Sequence, residues 1–276
     1  MALFLKGNKS EQFLLLLKLQ TIQWNSIDTL DLSDVSFATS VVCVIAQIMR
    51  SVDISLNLPN NANAHSYIKW SLDGNFYRPE RYIATKIIND RVSVPEVSSD
   101  FFRLFKNWIE IEAAVDLKYA IGELIDNVFD HANSKIGLCL SAQKYKDRIE
   151  LCIADLGIGI AQSFQIHQKW EQKTPLEWFK FGLQMKGTSK PMEHTGEGLS
   201  SILEWLTNNE GCKGILYSQN HFWKLKDGSS TVREISHVVW PGTLIWFSIP
   251  IQMNINLRMI WDKFGLGRDE LDDLFR

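Results

Sequence analysis

The stretch that most constrains the fold runs from Leu117 to Ala132, LKYAIGELIDNVFDHA. At about 100° per residue, Ile121, Leu124, Ile125, Val128 and Ala132 share one broad apolar face. Glu123, Asp126, Asn127, Asp130 and His131 share the other. A helix so divided must lay its apolar face on another layer of structure. Its polar stripe has two readings. It is a solvated surface, or it is a place where chemistry is done. A carboxylate and a carboxamide four residues apart can hold a hydrated Mg²⁺ and an attacking water, because Mg²⁺ keeps most of its waters and needs few protein ligands.

The segments downstream of this helix set the fold class. Ile136–Leu140 and Arg148–Ala154 alternate as strands do, Leu199–Leu206 has helical spacing, and Gly214–Ser218 and Thr243–Ile249 read as further strands. Runs of strands with helices between them indicate an α+β sandwich, a mixed sheet with helices on one face. Just upstream, Phe101, Phe102, Leu104, Phe105, Trp108 and Ile109 predict an amphipathic helix from Asp100 to about Ile111, capped by Ser98, Ser99 or Asp100. From about Asn254 a short amphipathic helix carries Met259, Ile260, Trp261 and Phe264, fit to dock on the core or on a partner.

The first hundred residues read as α/β. Thr29–Leu32 and Ile54–Leu58 are strand candidates on either side of a helix from Phe37 to Met49, which suggests a βαβ unit. The apolar run Phe13–Leu17 is too short for a bilayer, which needs roughly 20 apolar residues, and reads as a buried strand. Lysines surround it and no small-residue cleavage site comes after it, so no signal peptide is expected. The stretch Arg78–Ser99, with Pro79 and Pro95, reads as a connector. The expected division is 1–99, 100–252 and 253–276. The formal charge of −3 supplies no general attraction to nucleic acid. Cys43, Cys139, Cys152 and Cys212 form no CxxC pair, so they read as core thiols of a cytoplasmic protein, not as a zinc site.

Two more motifs bear on function. The strand RIELCIAD ends in Asp155-Leu156-Gly157-Ile158-Gly159-Ile160. A carboxylate at a strand end can accept a hydrogen bond from an exocyclic amine, and glycines beside it let the backbone approach a flat ring. A tight turn with an acid would look the same. Further on, Lys186-Gly187-Thr188-Ser189-Lys190 precedes Thr195-Gly196-Glu197-Gly198-Leu199. Backbone N–H groups where a glycine-rich loop opens a helix favour phosphate oxygens, and the lysines and hydroxyls upstream could reach a terminal phosphate. A flexible loop and an ordinary helix start are the plainer reading.

Taken in order and spacing, the three motifs resemble those of the GHKL superfamily of ATP-binding proteins. That group includes DNA gyrase, MutL repair proteins, sensor histidine kinases and anti-sigma-factor serine kinases. Glu123–Asn127 resembles the N box, Asp155–Gly159 the first glycine box and Gly196–Leu199 the second; Pro241-Gly242-Thr243 resembles the segment that closes the adenine pocket. The likeness covers about Phe101–Ile251 and implies a Bergerat-type sandwich. It implies that Asn127 ligates Mg²⁺, that Glu123 orients or deprotonates the nucleophile, and that Asp155 reads the adenine amine with help from Thr243 through a water. Gly157, Gly159, Ile160, Gly196, Gly198 and Leu199 would line the nucleotide. Phe181–Thr195 would be a mobile lid, with Lys186, Thr188 and Lys190 near the phosphates. His131 would be either a phosphate contact or a hydrogen-bonded structural histidine.

The N-terminal part resembles a small STAS-like domain at Leu30–Ser40, the fold of anti-sigma-factor antagonists. Ser40 would stand where those antagonists carry a phosphoacceptor, but Thr39 replaces the usual acid and the glycine after it is missing. The alternative is that Thr39 or Ser40 caps the helix. No phosphoacceptor histidine on a dimerising helix precedes the N box, and 25 residues remain after Ile251, too few for a transducer domain. The Glu-x-x-x-Asn…His pattern is closest to the anti-sigma serine kinases. Two functions are expected on this basis. The first is an ATP-dependent serine/threonine kinase or slow ATPase of a bacterial regulatory switch, using ATP and Mg²⁺ and a protein partner. The second is an ATP-gated interaction module with little catalysis. Homodimerisation is common among such proteins; membrane or nucleic-acid partners are not expected.

Overall fold

The computed structural model describes residues 2–7, 22, 24–35, 39–73, 82–168, 171–184, 187, 198–235, 239–254 and 256–264. Their strands form two sheets. The smaller has three parallel strands in the order β1 (Ala2–Gly7), β2 (Thr29–Val35), β3 (Ser55–Asn57). Helix α1 (Thr39–Ser51) connects β2 to β3, so the expected βαβ unit is present. The side chains of Thr39 and Ser40 lie outside the described residues, as do Phe13–Leu17. Helix α2 (Ala62–Leu72) comes next, and Asn61 caps it by accepting the N–H groups of Asn63 and Ala64 at 3.0 and 3.1 Å.

The larger sheet has seven strands. Their order is β4 (Tyr82–Ile88), β5 (Leu138–Lys144), β6 (Arg148–Asp155), β10 (Trp240–Pro250), β7 (Lys213–Gln219), β8 (His221–Lys226), β9 (Ser229–Glu234). Every neighbouring pair is antiparallel, which corrects the expectation of a mixed sheet. Tight turns explain most of this, since they join β5 to β6 and β7 to β8 to β9. The β8–β9 turn places Asp227 and Gly228 at φ 52° and 71°, a pair of positive values that matches the twist of a two-residue hairpin.

Two boundaries differ from those the sequence suggests. The stretch read as a connector contributes β4, whose Ile83 and Ile88 are buried. The helix expected from Asp100 begins earlier, as α3 (Val94–Phe105). Pro95 sits in its first turn, where a missing N–H costs nothing, so it starts the helix and does not break it. Ser98, Ser99 and Asp100 are therefore inside the helix. Asp90 does the capping, of the short 3-10 turn Arg91–Ser93 ahead of α3, by accepting the Ser93 N–H at 3.0 Å.

The sheet is covered on both faces, not on one as the sequence suggests. One face carries α3, α4 (Ile111–Asn127), α5 (Ile160–His167), α6 (Pro175–Gly182), α7 (Gly198–Asn208) and α8 (Leu257–Phe264), around a core that includes Phe101, Leu117, Ile121, Trp178 and Trp205. The other face meets α1 and α2 through Cys43, Ile48, Tyr67 and Ile68. The period of two in β6 shows why. Ile149, Leu151 and Ile153 point into the first core, and Cys152 and Ala154 into the second. A strand apolar on both sides needs cover on both. All four cysteines are buried free thiols, as expected.

Helix α8 docks on the core. Leu257, Ile260 and Trp261 are buried, and each such side chain is worth about 1.5–3 kcal/mol relative to exposure. Trp261 Nε1 donates to Ser201 Oγ at 3.1 Å, and its ring meets Tyr119 edge-on at 4.9 Å. Among the described residues, no helix is long and apolar enough to cross a membrane.

Candidate functional site

Helix α4 does not run on as an α-helix to Ala132. After Asn127 the chain widens into a π-turn, Val128–Ala132, and stops at Asn133 with φ 50° and ψ 40°. Such wide turns recur at functional sites. The Ala132 carbonyl, in the last turn and so without a partner within the helix, accepts the Ile158 N–H at 2.7 Å. The polar stripe thus ends directly against the glycine loop after β6.

The stripe divides by partner. Asp130 binds the Arg91 guanidinium, and Asp126 lies 3.5 Å from Arg91 Nε. Glu123 leans elsewhere, onto the first residue of α7. A Cβ built at Gly198 would overlap the Glu123 carboxylate, with its Cδ only 2.8 Å away. The carboxylate therefore stands at a helix N-terminus, where unpaired N–H groups favour an anion. Asn127 makes no side-chain capping bond to the π-turn, so its amide is not tied to the helix end. His131 lies within the π-turn, half-buried.

Asp155 ends β6 and is 1% exposed. Its Oδ1 accepts the Gly157 N–H at 2.7 Å, its Oδ2 accepts the Thr243 N–H at 3.1 Å, and its carbonyl accepts Trp240 Nε1 at 2.9 Å. Burial raises its pKa to about 7, although both N–H bonds pull the other way. Glycine is required here by space. A Cβ at Gly157 would lie 2.8 Å from Ala132 Cβ and overlap the Ala132 carbonyl; one at Gly242 would lie 2.5 Å from both the Asp155 carbonyl oxygen and the Gly157 nitrogen. Gly159 has φ 76°, and the next N–H, of Ile160, donates to Ser218 Oγ at 2.8 Å.

The structure therefore brings Glu123 to Gly198, and joins Asp155, Gly157, Gly159, Ile160 and Thr243 in one loop cluster that touches the end of the polar helix. Leu199 packs half-buried against the core. Lys186, Thr188, Lys190 and Gly196 lie outside the described residues. Phe181 and Gly182, expected in the lid, close α6 instead, where Phe181 packs edge-on to Phe164 and Trp178. Four residues not named as candidates hold the site together: Ala132 at the end of the polar helix, Ser218, Trp240, and Gly242 within the Pro241-Gly242-Thr243 segment. Gly242 carries a signal, since glycine between Pro241 and Thr243 at the start of a strand marks a close backbone approach. The other three carry none.

Among the described residues no group of three His, Cys, Asp or Glu side chains could hold a metal ion. A Mg²⁺ that takes most of its ligands from water and phosphate does not need such a group, and one amide oxygen such as that of Asn127 fits that mode. A cleft of about 450 Å³ is lined by Gly157 and Ile158 of the glycine loop but not by Glu123, Asn127, Asp155 or Thr243. Comparison of the chain with protein-family models, with curated proteins and with solved structures finds no match.

Proposed function

We propose that the chain binds Mg·ATP between the polar stripe of α4, the glycine loop after β6 and the start of α7, as a Bergerat-type pocket would. We propose further that it acts as an ATP-dependent serine/threonine kinase or slow ATPase in a bacterial regulatory switch, in the cytoplasm. One observation carries the reading. Three segments far apart in sequence meet at glycines set close against their neighbours: Gly157 on Ala132, Gly242 on Asp155, Gly198 on Glu123.

The chemistry comes from the parts. Each Asp155 oxygen accepts one N–H and has a lone pair left, so the pair can also take an exocyclic amine N–H. That added bond favours the carboxylate, so nucleotide binding draws a proton off Asp155. Affinity then rises with pH through about 7. The start of α7 receives the phosphates. Asn127 would hold a magnesium ion, which would supply neutralisation of the developing phosphate charge. Glu123 takes the proton of a water or a serine/threonine hydroxyl as its oxygen bonds to the γ-phosphorus; the bond from that phosphorus to the β–γ bridging oxygen breaks, and ADP leaves.

A specific contact supports the second reading, an ATP-gated interaction module. Gln47 of α1 donates to the Ala154 carbonyl at 2.7 Å, one residue before Asp155. The N-terminal unit is thus hydrogen-bonded to the strand end that would sense adenine. Incubation with γ-labelled Mg·ATP separates the two, with Glu123→Ala beside the wild type. Phosphate release or protein-bound label lost in the variant, while nucleotide still binds, supports chemistry at Glu123. Binding without either product supports the module. Equal product from both proteins removes Glu123 from the mechanism.

A further inference from the structure

The start of β10 is irregular where it meets Asp155. Against β7 it pairs at Trp240 with Gln219 and again at Thr243 with Ser218, so Pro241 and Gly242 have no counterpart on that strand. Against β6 the ladder ends at Leu244 and Ala154. The next pair in register would be Thr243 and Asp155. The Thr243 N–H does point toward β6, where a regular antiparallel ladder would give it the Asp155 carbonyl. It goes instead to the Asp155 carboxylate, whose Oδ2 accepts it at 3.1 Å.

That diversion leaves a buried main-chain carbonyl in need of a donor. Trp240 supplies it. Its Nε1 donates to the Asp155 carbonyl at 2.9 Å, and its ring is buried in the second core, in the same cluster as Leu244 and Tyr217. An indole has one donor and no acceptor, so this single bond is all that its polar end makes. Asp155 continues the odd-numbered residues of β6, whose side chains face the first core. The indole thus holds the main chain from one side of the sheet while the carboxylate is presented on the other.

We infer that Trp240 is a positioning residue for the Asp155 carboxylate, and that through it the pocket prefers a base that carries an exocyclic amine. This rests on the ATP-binding reading above. Two oxygens of Asp155, one of the main chain and one of the side chain, compete for the Thr243 N–H, and the indole decides between them. With the carbonyl satisfied, the Thr243 N–H holds Oδ2 and the Gly157 N–H holds Oδ1, so the carboxylate is fixed at both oxygens. Without the indole N–H, the buried carbonyl draws the Thr243 N–H to itself, because an unsatisfied buried acceptor is costly. Oδ2 then loses its bond, and the carboxylate can turn away from the direction in which it would meet an amine. Trp240 acts through Asp155 and is not itself a catalytic residue.

The test titrates the full chain with Mg·ATP and with the triphosphate of purine riboside, which has the same ring system without the amine. The wild type is compared with Trp240→Phe and with Trp178→Phe, which removes an equally buried indole from α6. Circular dichroism shows which variants fold. The wild type should prefer ATP by roughly tenfold or more, Trp178→Phe should keep that preference, and Trp240→Phe should bind the two nucleotides alike. A general loosening of the core would weaken both nucleotides together and leave their ratio unchanged. If Trp240→Phe fails to fold, replacement of Trp240 by β-(3-benzothienyl)alanine decides, since it keeps the shape of the ring and puts sulfur in place of the N–H. A wild type that binds neither nucleotide overturns the ATP reading and this inference with it. A wild type that binds both alike overturns this inference and leaves ATP binding standing. A preference retained by a folded Trp240 variant, or lost equally in Trp178→Phe, also overturns this inference alone.

Discussion

Asp116 and Asp155 are both buried and both accept backbone N–H bonds, yet they sit in unlike surroundings. Asp116, on α4, takes one N–H, that of Leu257 at 3.0 Å, and so caps α8 from another element. Burial and the nearby Glu112 raise its pKa to about 6, against that one bond. Asp155 takes two N–H groups from different segments and has its pKa raised to about 7. The shifts alone do not tell a structural acid from a functional one. The neighbours do. Asp116 meets the side chains and backbone of a docked helix, whereas Asp155 meets Gly157 and Gly242, positions where no Cβ fits. Such close backbone approach around a carboxylate is not something that helix capping requires.

The largest effect bearing on this contrast is expected at Gly157. Gly157→Ala drives a Cβ into Ala132 backbone, which cannot give way as a flexible side chain could. A loss of roughly 3 kcal/mol in urea unfolding is expected, with loss of nucleotide binding. Tolerance of alanine there would mean the loop is not packed as described.

Next comes the pair of amide substitutions. Asp155→Asn must turn an NH₂ toward one of two N–H donors, leaving a buried group unsatisfied, and should cost about 2 kcal/mol. Asp116→Asn can keep its single acceptor bond without burying a charge, so at about pH 8 it should be neutral or stabilising. The pH dependence has a definite sign. A carboxyl whose folded pKa is raised favours the native state below its unfolded value near 3.8 and loses that advantage as pH rises through about 6. Wild type should therefore lose stability relative to Asp116→Asn between those values, by about 1.4 kcal/mol per unit within the window. A flat difference would contradict the burial of Asp116.

Gly198→Ala should act on chemistry and spare stability. The atom in the way is the end of the Glu123 side chain, which can swing aside. Unfolding free energy should move by less than about 0.5 kcal/mol, while phosphate release or transfer falls to the level of Glu123→Ala. Arg91→Ala should matter least, about 0.5 kcal/mol, since its pairing with Asp126 and Asp130 is at the surface.

Much of this is legible in the chain. The apolar face of Leu117–Ala132, the strand ending at Asp155 and the βαβ unit lie where the periodicity puts them, because each signal is local. The π-turn is not legible, since its residues suit an α-helix and no local signal marks the wider turn. The antiparallel sheet order depends on β4 and β10 returning beside distant strands, which no window of sequence contains. The β8–β9 hairpin does carry a sign, Asp227-Gly228, though no strand was expected on either side of it. Arg91 reaches the polar stripe from a stretch that carries no motif.

The most direct measurement is calorimetric titration of Mg·ATP into the wild type and into Asp155→Asn, with circular dichroism to show that the variant is folded. Saturable binding by the wild type is expected, tighter above pH 7 than below it and with proton release at and below about pH 7, and a weakening of at least about 100-fold in the variant, near 2.8 kcal/mol. No binding by the wild type, or equal binding by a folded Asp155→Asn, would contradict it.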